Sequence, residues 1–145
     1  MLEDDYEILQ ATDGQEALDI INALDNPDAI NLIVSDQRMP LMSGTELFQR
    51  LIPIIPNSVR ILLTAYTDVR SIMDSINKAK IYKFMVKPYD PDELLITVKR
   101  AVECYQQNNA LIASQLAFEK TLAAEVEQQK VQLQQENTLL KDRVR

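Results

Sequence analysis

The sequence predicts an α/β domain, a doubly wound parallel sheet with helices on both faces, running into one long C-terminal helix. Three observations predict it. Short apolar or alternating runs recur near residues 6–11, 31–35, 59–63 and 82–86, as strands do. Stretches of helical period lie between them, and such alternation favours a parallel sheet. Beyond about residue 105 glycine and proline vanish, and glutamine, glutamate, lysine, leucine and alanine take over. That composition suits a single long helix.

The elements follow in order. Tyr6-Glu7-Ile8-Leu9-Gln10-Ala11 reads as a strand. Asp13 is placed to cap a helix whose apolar stripe is Ala17, Leu18, Ile21 and Leu24. Leu32-Ile33-Val34 is a continuous apolar run, as expected of a strand covered on both faces. Ser43 can cap a helix bearing Leu47, Phe48 and Leu51. Ile61-Leu62-Leu63 marks the next strand, and Asp68 can cap a helix bearing Val69, Ile72, Met73 and Ile76. After the strand at 82–86, Asp90-Pro91-Asp92-Glu93 combines a cap, a proline at the first helical position and a glutamate placed to close a capping box.

Composition excludes several functions. The chain has 145 residues, enough for one globular domain and an appendage. No apolar run approaches the ~18 residues of a membrane span. The acidic start, Met1 to Asp5, does not resemble a signal peptide. Cys104 is the single cysteine, so no disulfide forms within the chain, and a reducing, cytoplasmic setting fits. Net charge is −7, which argues against gripping nucleic acid through its phosphates. Tyr82, Tyr89 and Tyr105 therefore read as packing residues rather than a stacking platform for bases. With no histidine and one cysteine, histidine and thiolate zinc sites are excluded.

Three polar residues end three predicted strands: Asp36, Thr64 and Lys87. In parallel α/β sheets the chemistry sits beyond the carboxyl ends of the strands. A carboxylate, a hydroxyl and an ammonium gathered there suit a phosphoryl group. The carboxylate can attack it, the hydroxyl can donate to one oxygen, and the ammonium can neutralise another. Taken singly, each residue has a plainer role as a cap, a turn residue or a surface lysine.

Their spacing carries more. Asp36-Gln37-Arg38-Met39-Pro40 with Gly44 resembles the phosphoacceptor loop of two-component response-regulator receivers. Thr64-Ala65 and Lys87-Pro88 resemble that family's switch threonine and its lysine-proline pair. Phe84 stands where the family keeps its switch aromatic. The segments Tyr6–Ala11 and Asp13–Leu18 resemble the family's second strand and second helix. The resemblance covers about residues 2–104. It implies a flavodoxin-like fold and phosphorylation of Asp36 by a sensor histidine kinase or phosphotransfer protein. Thr64 and Lys87 would hold the phosphoryl group, with Ala65 beside them, and Phe84 would turn inward as Thr64 moves. Arg38 and Tyr66, each two residues past a phosphoryl-contacting residue, are expected to obstruct the attacking water.

The chain departs from the family in two ways. The family opens with a strand ending in two acidic residues, then a first helix, and the sequence shows neither. A truncated receiver is therefore expected over 1–104, its sheet lacking that strand and helix. The run at 31–35 then becomes a sheet edge open to another chain. Asp4-Asp5 precedes the second strand and does not replace the acidic pair. The complete family domain binds Mg²⁺. Here the metal site reduces to Asp36 and the backbone carbonyl of Arg38, a poor set for an ion that prefers several oxygens. Little or no Mg²⁺ binding is expected. The second departure is Lys78-Ala79-Lys80, where the family commonly has glycine. A left-handed residue there would cost about 1 kcal/mol.

Residues 105–145 are expected to continue the last receiver helix as a signalling coiled coil. From Pro91 to the end is about 55 residues, or roughly 80 Å of helix. A seam of 3-4 spacing runs through Ile112, Leu116, Ala123, Val126, Leu133, Leu140 and Val144, interrupted by Glu119, Lys130 and Asn137. Such a seam predicts a parallel homodimer whose register Asn137 can fix. The open sheet is a second surface for dimerisation.

The leading expectation is a receiver that relays phosphorylation of Asp36 through its helix. The alternative is a degenerate, non-phosphorylated receiver-like dimerisation module. An enzyme is not expected. A haloacid-dehalogenase type would need a second aspartate where Arg38 stands, and a flavin binder would need a phosphate loop after a first strand.

Overall fold

Helix starts are set by local polar caps. Asp13 accepts from the amide of Glu16 at the start of α1 (Gly14–Ala23), and Ser43 accepts from Glu46 at the start of α2 (Gly44–Leu51). Asp90 accepts from the amide of Asp92 where α4 (Pro91–Val144) begins. Between them lie β1 (Leu32–Asp36), β2 (Val59–Ala65), α3 (Val69–Lys78) and β3 (Lys83–Lys87). This computed structural model describes residues 5–144, with side chains through Leu140.

The strands pair in parallel in the order β1-β2-β3, with Asp36 opposite Leu63 and Ala65 opposite Lys87. Parallel neighbours need crossovers, which α2 and α3 supply. β2 is the central strand and is buried from Val59 through Thr64. Side-chain alternation divides its residues between two layers. Val59, Ile61 and Leu63 pack with Met85, Ala101 and Tyr105, the last two from α4. On the opposite face Leu62 packs with Phe48 of α2 and Ile72 of α3. α1 and α2 close a third cluster through Leu18, Ile21, Leu47 and Leu51.

Three expectations are corrected. The strand expected at 6–11 does not form, and residues 7–11 are exposed. A strand exists only where a neighbour takes its backbone bonds, and no described strand lies beside this segment. β1 is accordingly an edge, with Val34 exposed. Asp68 occupies the cap position of α3, yet its side chain makes no capping bond. Glu93 closes no capping box and lies 3.9 Å from Lys83.

The turn at Lys78-Ala79-Lys80 ends α3 with Lys80 at φ 49. Ile81 donates to the carbonyl of Ile76 at 3.1 Å and Lys80 to that of Asn77 at 3.3 Å. This is the left-handed helix ending that glycine usually makes. Arg60, buried in β2, donates from Nε to the Lys80 carbonyl at 3.0 Å. Burial pushes the Arg60 guanidinium pKa down.

The chain divides between Gln107 and Asn108 into two units. The second is the remainder of α4, exposed from Ala110 through Leu140. Its seam residues Leu116, Leu133 and Leu140 are each more than half exposed. No described helix is long and apolar enough to cross a membrane.

Candidate functional site

Asp36 is the last residue of β1 and Lys87 the last of β3, so both leave the carboxyl edge of the sheet. β2 runs between them. The Lys87 ammonium reaches across and pairs with Asp36 Oδ1 at 2.7 Å. Both side chains are nearly half exposed, at 45% and 48%, so the pair opens to solvent and to any donor approaching that edge. Thr64 lies one residue past Leu63, the partner of Asp36, and its side chain is buried. Its hydroxyl makes only a long bond of 3.4 Å to the Ala65 carbonyl. Phe84 sits half-buried, opposite Leu62, against the cluster of Phe48, Ile72 and Ala79. The peptide joining Lys87 to Pro88 is cis.

The loop after Asp36 is fastened at several points. Gln37 donates its amide to the Leu63 carbonyl at 2.9 Å, and its side-chain oxygen accepts from the Thr45 amide at 3.0 Å. Gly44 donates to the Gln37 carbonyl at 3.0 Å. A side chain on Gly44 would collide with the Asp36 carbonyl and with Leu62. Only glycine lets α2 begin so close to the end of β1. Leu41 is held at φ 72 and is 81% exposed.

A feature that the sequence reading missed joins this loop to the next. The Arg38 guanidinium binds Asp68 through two bonds, from Nε at 2.7 Å and Nη2 at 2.6 Å. Its hydrogen bonds hold the Asp68 carboxyl below its usual range and raise the Arg38 pKa. A paired fork of this kind fixes orientation as well as attraction. The pair lines an open cleft of about 510 Å³ together with Met39, Leu41, Met42, Ser43, Glu46 and Ser71. The residue types were legible; their partnership, across 30 positions, was not. Tyr66, the other residue expected to obstruct water, is 81% exposed.

The described residues do not fit a Mg²⁺ site. Among the described residues no three acidic, histidine or cysteine side chains gather around a point. The carboxylate of Asp36 faces an ammonium, not a second carboxylate. No step below is routed through a metal.

A parallel sheet flanked by helices, with a strand-end aspartate held by a strand-end lysine, defines a receiver-type signalling domain. A family model, the response regulator receiver domain, matches residues 1–99, and the chain belongs to that family. It is 35% identical to sporulation initiation phosphotransferase F of Bacillus subtilis, over 66% of this chain and 73% of that protein. It is 34% identical to the hydrogenase transcriptional regulatory protein HoxA of Bradyrhizobium diazoefficiens over 73% of this chain. The match spans only 21% of HoxA's length. Among solved structures it resembles an adenylate cyclase from Rhodopirellula baltica, with TM-score 0.68 and 30% identity over 75% of this chain and 78% of that one. It also resembles a response regulator receiver domain protein from Clostridium thermocellum, with TM-score 0.65 and 25% identity over 73% and 82%.

Proposed function

We propose that this chain is a cytoplasmic phosphoryl-accepting switch, phosphorylated on Asp36 by a sensor histidine kinase or a phosphotransfer protein. The observation that carries this reading is the 2.7 Å contact between Lys87 and Asp36 at the open edge of the sheet. The ammonium lies against the carboxylate that acts as nucleophile and marks where a phosphoryl oxygen would be held. The carboxylate attacks phosphorus, and the bond from phosphorus to the donor atom breaks. The donor leaves with that bonding pair, and an acyl phosphate remains on Asp36. Lys87 then faces a dianion in place of a monoanion, and Thr64 supplies a hydroxyl donor from the neighbouring strand. The chain acts as a signalling module rather than an enzyme on a separate substrate. Its second unit carries the signal outward as a parallel homodimer through the apolar seam of α4.

The test is incubation of the chain with acetyl phosphate, read by intact mass. One phosphoryl group is expected on the wild type and none on Asp36→Asn. Lys87→Ala should label at least tenfold more slowly, a loss typical of a removed charge-stabilising donor. The absence of a carboxylate partner for Asp36 among the described residues favours a second reading, a receiver-like dimerisation module that is not phosphorylated. A wild-type chain that takes no phosphoryl group would establish that second reading.

A further inference from the structure

The starts of α1, α2 and α3 differ in one respect. Asp13 and Ser43 have extended backbones, at φ −149 and ψ 173 and at φ −77 and ψ 164, and each caps the amide three residues on. Asp68 holds the same position before α3, but its backbone is helical, at φ −95 and ψ −8. A helical backbone does not aim the side chain at its own helix start, since capping residues are non-helical. The single turn Tyr66–Asp68 imposes that backbone, with Val69 donating to the Tyr66 carbonyl. The Asp68 carboxylate is instead spent on Arg38, and the Ser71 amide receives no side-chain acceptor. Ile72, in the first turn of α3, is buried against Phe48 and Leu62, so it holds the helix on the sheet while the turn before it rearranges.

The geometry points to a two-state element at residues 65–68, in which Asp68 exchanges Arg38 for the amide of Ser71. In the state seen here the turn is wound and Asp68 ties α3 to the loop that carries Asp36. In the other state Asp68 is extended, it caps α3, the turn is open and Arg38 is released. The two states exclude each other because one carboxylate and one backbone conformation serve both. Thr64 and Ala65 immediately precede the turn, so the exchange moves the strand end that faces the acceptor site. The trigger rests on the proposed phosphorylation. A phosphoryl dianion on Asp36, two residues from Arg38, outcompetes a monoanionic carboxylate for the guanidinium fork.

The test is residue-resolved amide hydrogen exchange on the whole chain. Arg38→Met frees Asp68 to cap, and its side chain is 78% exposed, so the fold tolerates the change. Asp68→Asn keeps the capping ability and loses the ion pair. Both are expected to slow exchange at Ser71 about fivefold, the equivalent of one helix cap. Asp68→Ala, which can do neither, should leave Ser71 as fast as in the wild type. A pair that merely braced the fold would give the opposite sign, with α3 loosening in every variant. Unchanged or faster exchange at Ser71 in either Arg38→Met or Asp68→Asn overturns the exchange of partners. Acetyl phosphate should move wild-type Ser71 towards the Arg38→Met rate. A chain phosphorylated by mass with Ser71 unmoved overturns the trigger. A chain that takes no phosphoryl group overturns the proposed function, and the two substitutions still decide the exchange.

Discussion

The two units of this chain obtain their order from different sources. In the first, Phe48, Leu51, Ile61 and Leu62 are at or near full burial, and each helix start but one is capped by a side chain. In the second, every residue from Ala110 to Leu140 is exposed, including six members of the interrupted apolar seam. An isolated helix is marginal in water, because its stability in proteins comes from burying an apolar face. The comparison teaches that one unit builds its own core, though it keeps an open edge at β1, while the other has no core and is written for a partner. A second copy of the same helix presents the same seam in register, which is why the proposed partner is another copy.

The largest effect should come from the packed unit. Phe48→Ala is expected to cost about 3–5 kcal/mol, the range for removing a fully buried aromatic, measured by urea denaturation. A loss under 1 kcal/mol would mean that the two-sided core is not what holds the sheet. The seam should answer to a different assay. Each of Leu133→Ala and Leu140→Ala is expected to weaken dimerisation by about tenfold or more, since a buried leucine contributes about 1.5–3 kcal/mol. Sedimentation equilibrium reads this, and the unfolding of the first unit should not move. A wild-type chain that stays monomeric at high concentration would refute the seam. Ending the chain after Gln107 sharpens the contrast. That fragment loses the seam but retains the open edge at β1, so residual association is expected from the edge alone.

A smaller effect tests local strain. Lys80→Gly relieves a left-handed lysine and should raise stability by up to about 1 kcal/mol. Denaturation curves that show destabilisation would mean that the lysine side chain contributes more than its backbone costs. The smallest expected effect is the response to Mg²⁺. We propose that the chain binds the ion weakly or not at all, because Asp36 has an ammonium for a neighbour. Titration calorimetry showing sub-millimolar affinity would require oxygen ligands that Asp36 and the Arg38 carbonyl do not supply.

Much of the fold is readable from short-range pattern. The strands at 31–35, 59–63 and 82–86 were placed to within two residues at each end, because short apolar runs between helical stretches mark strands, although only β2 proves buried along its length. Asp13, Ser43 and Asp90 announced their helices because a cap acts within three residues. Asp36, Thr64 and Lys87 were legible as strand-end polar residues, and the structure brings Asp36 and Lys87 into contact. Tertiary structure decided what depends on distant partners. Residues 6–11 carry a strand pattern, but pattern does not supply the neighbour a strand needs, and the segment is not a strand here. Arg60 is charged and was passed over, yet it lies buried with its Nε on a carbonyl 20 residues away. Asp68 shows the division most sharply. Its position says helix cap, and its carboxylate is free to choose between its own helix and Arg38. Sequence fixes which bonds that carboxylate is able to make. The choice between them belongs to the fold, which sets the Asp68 backbone and brings a guanidinium from 30 positions away.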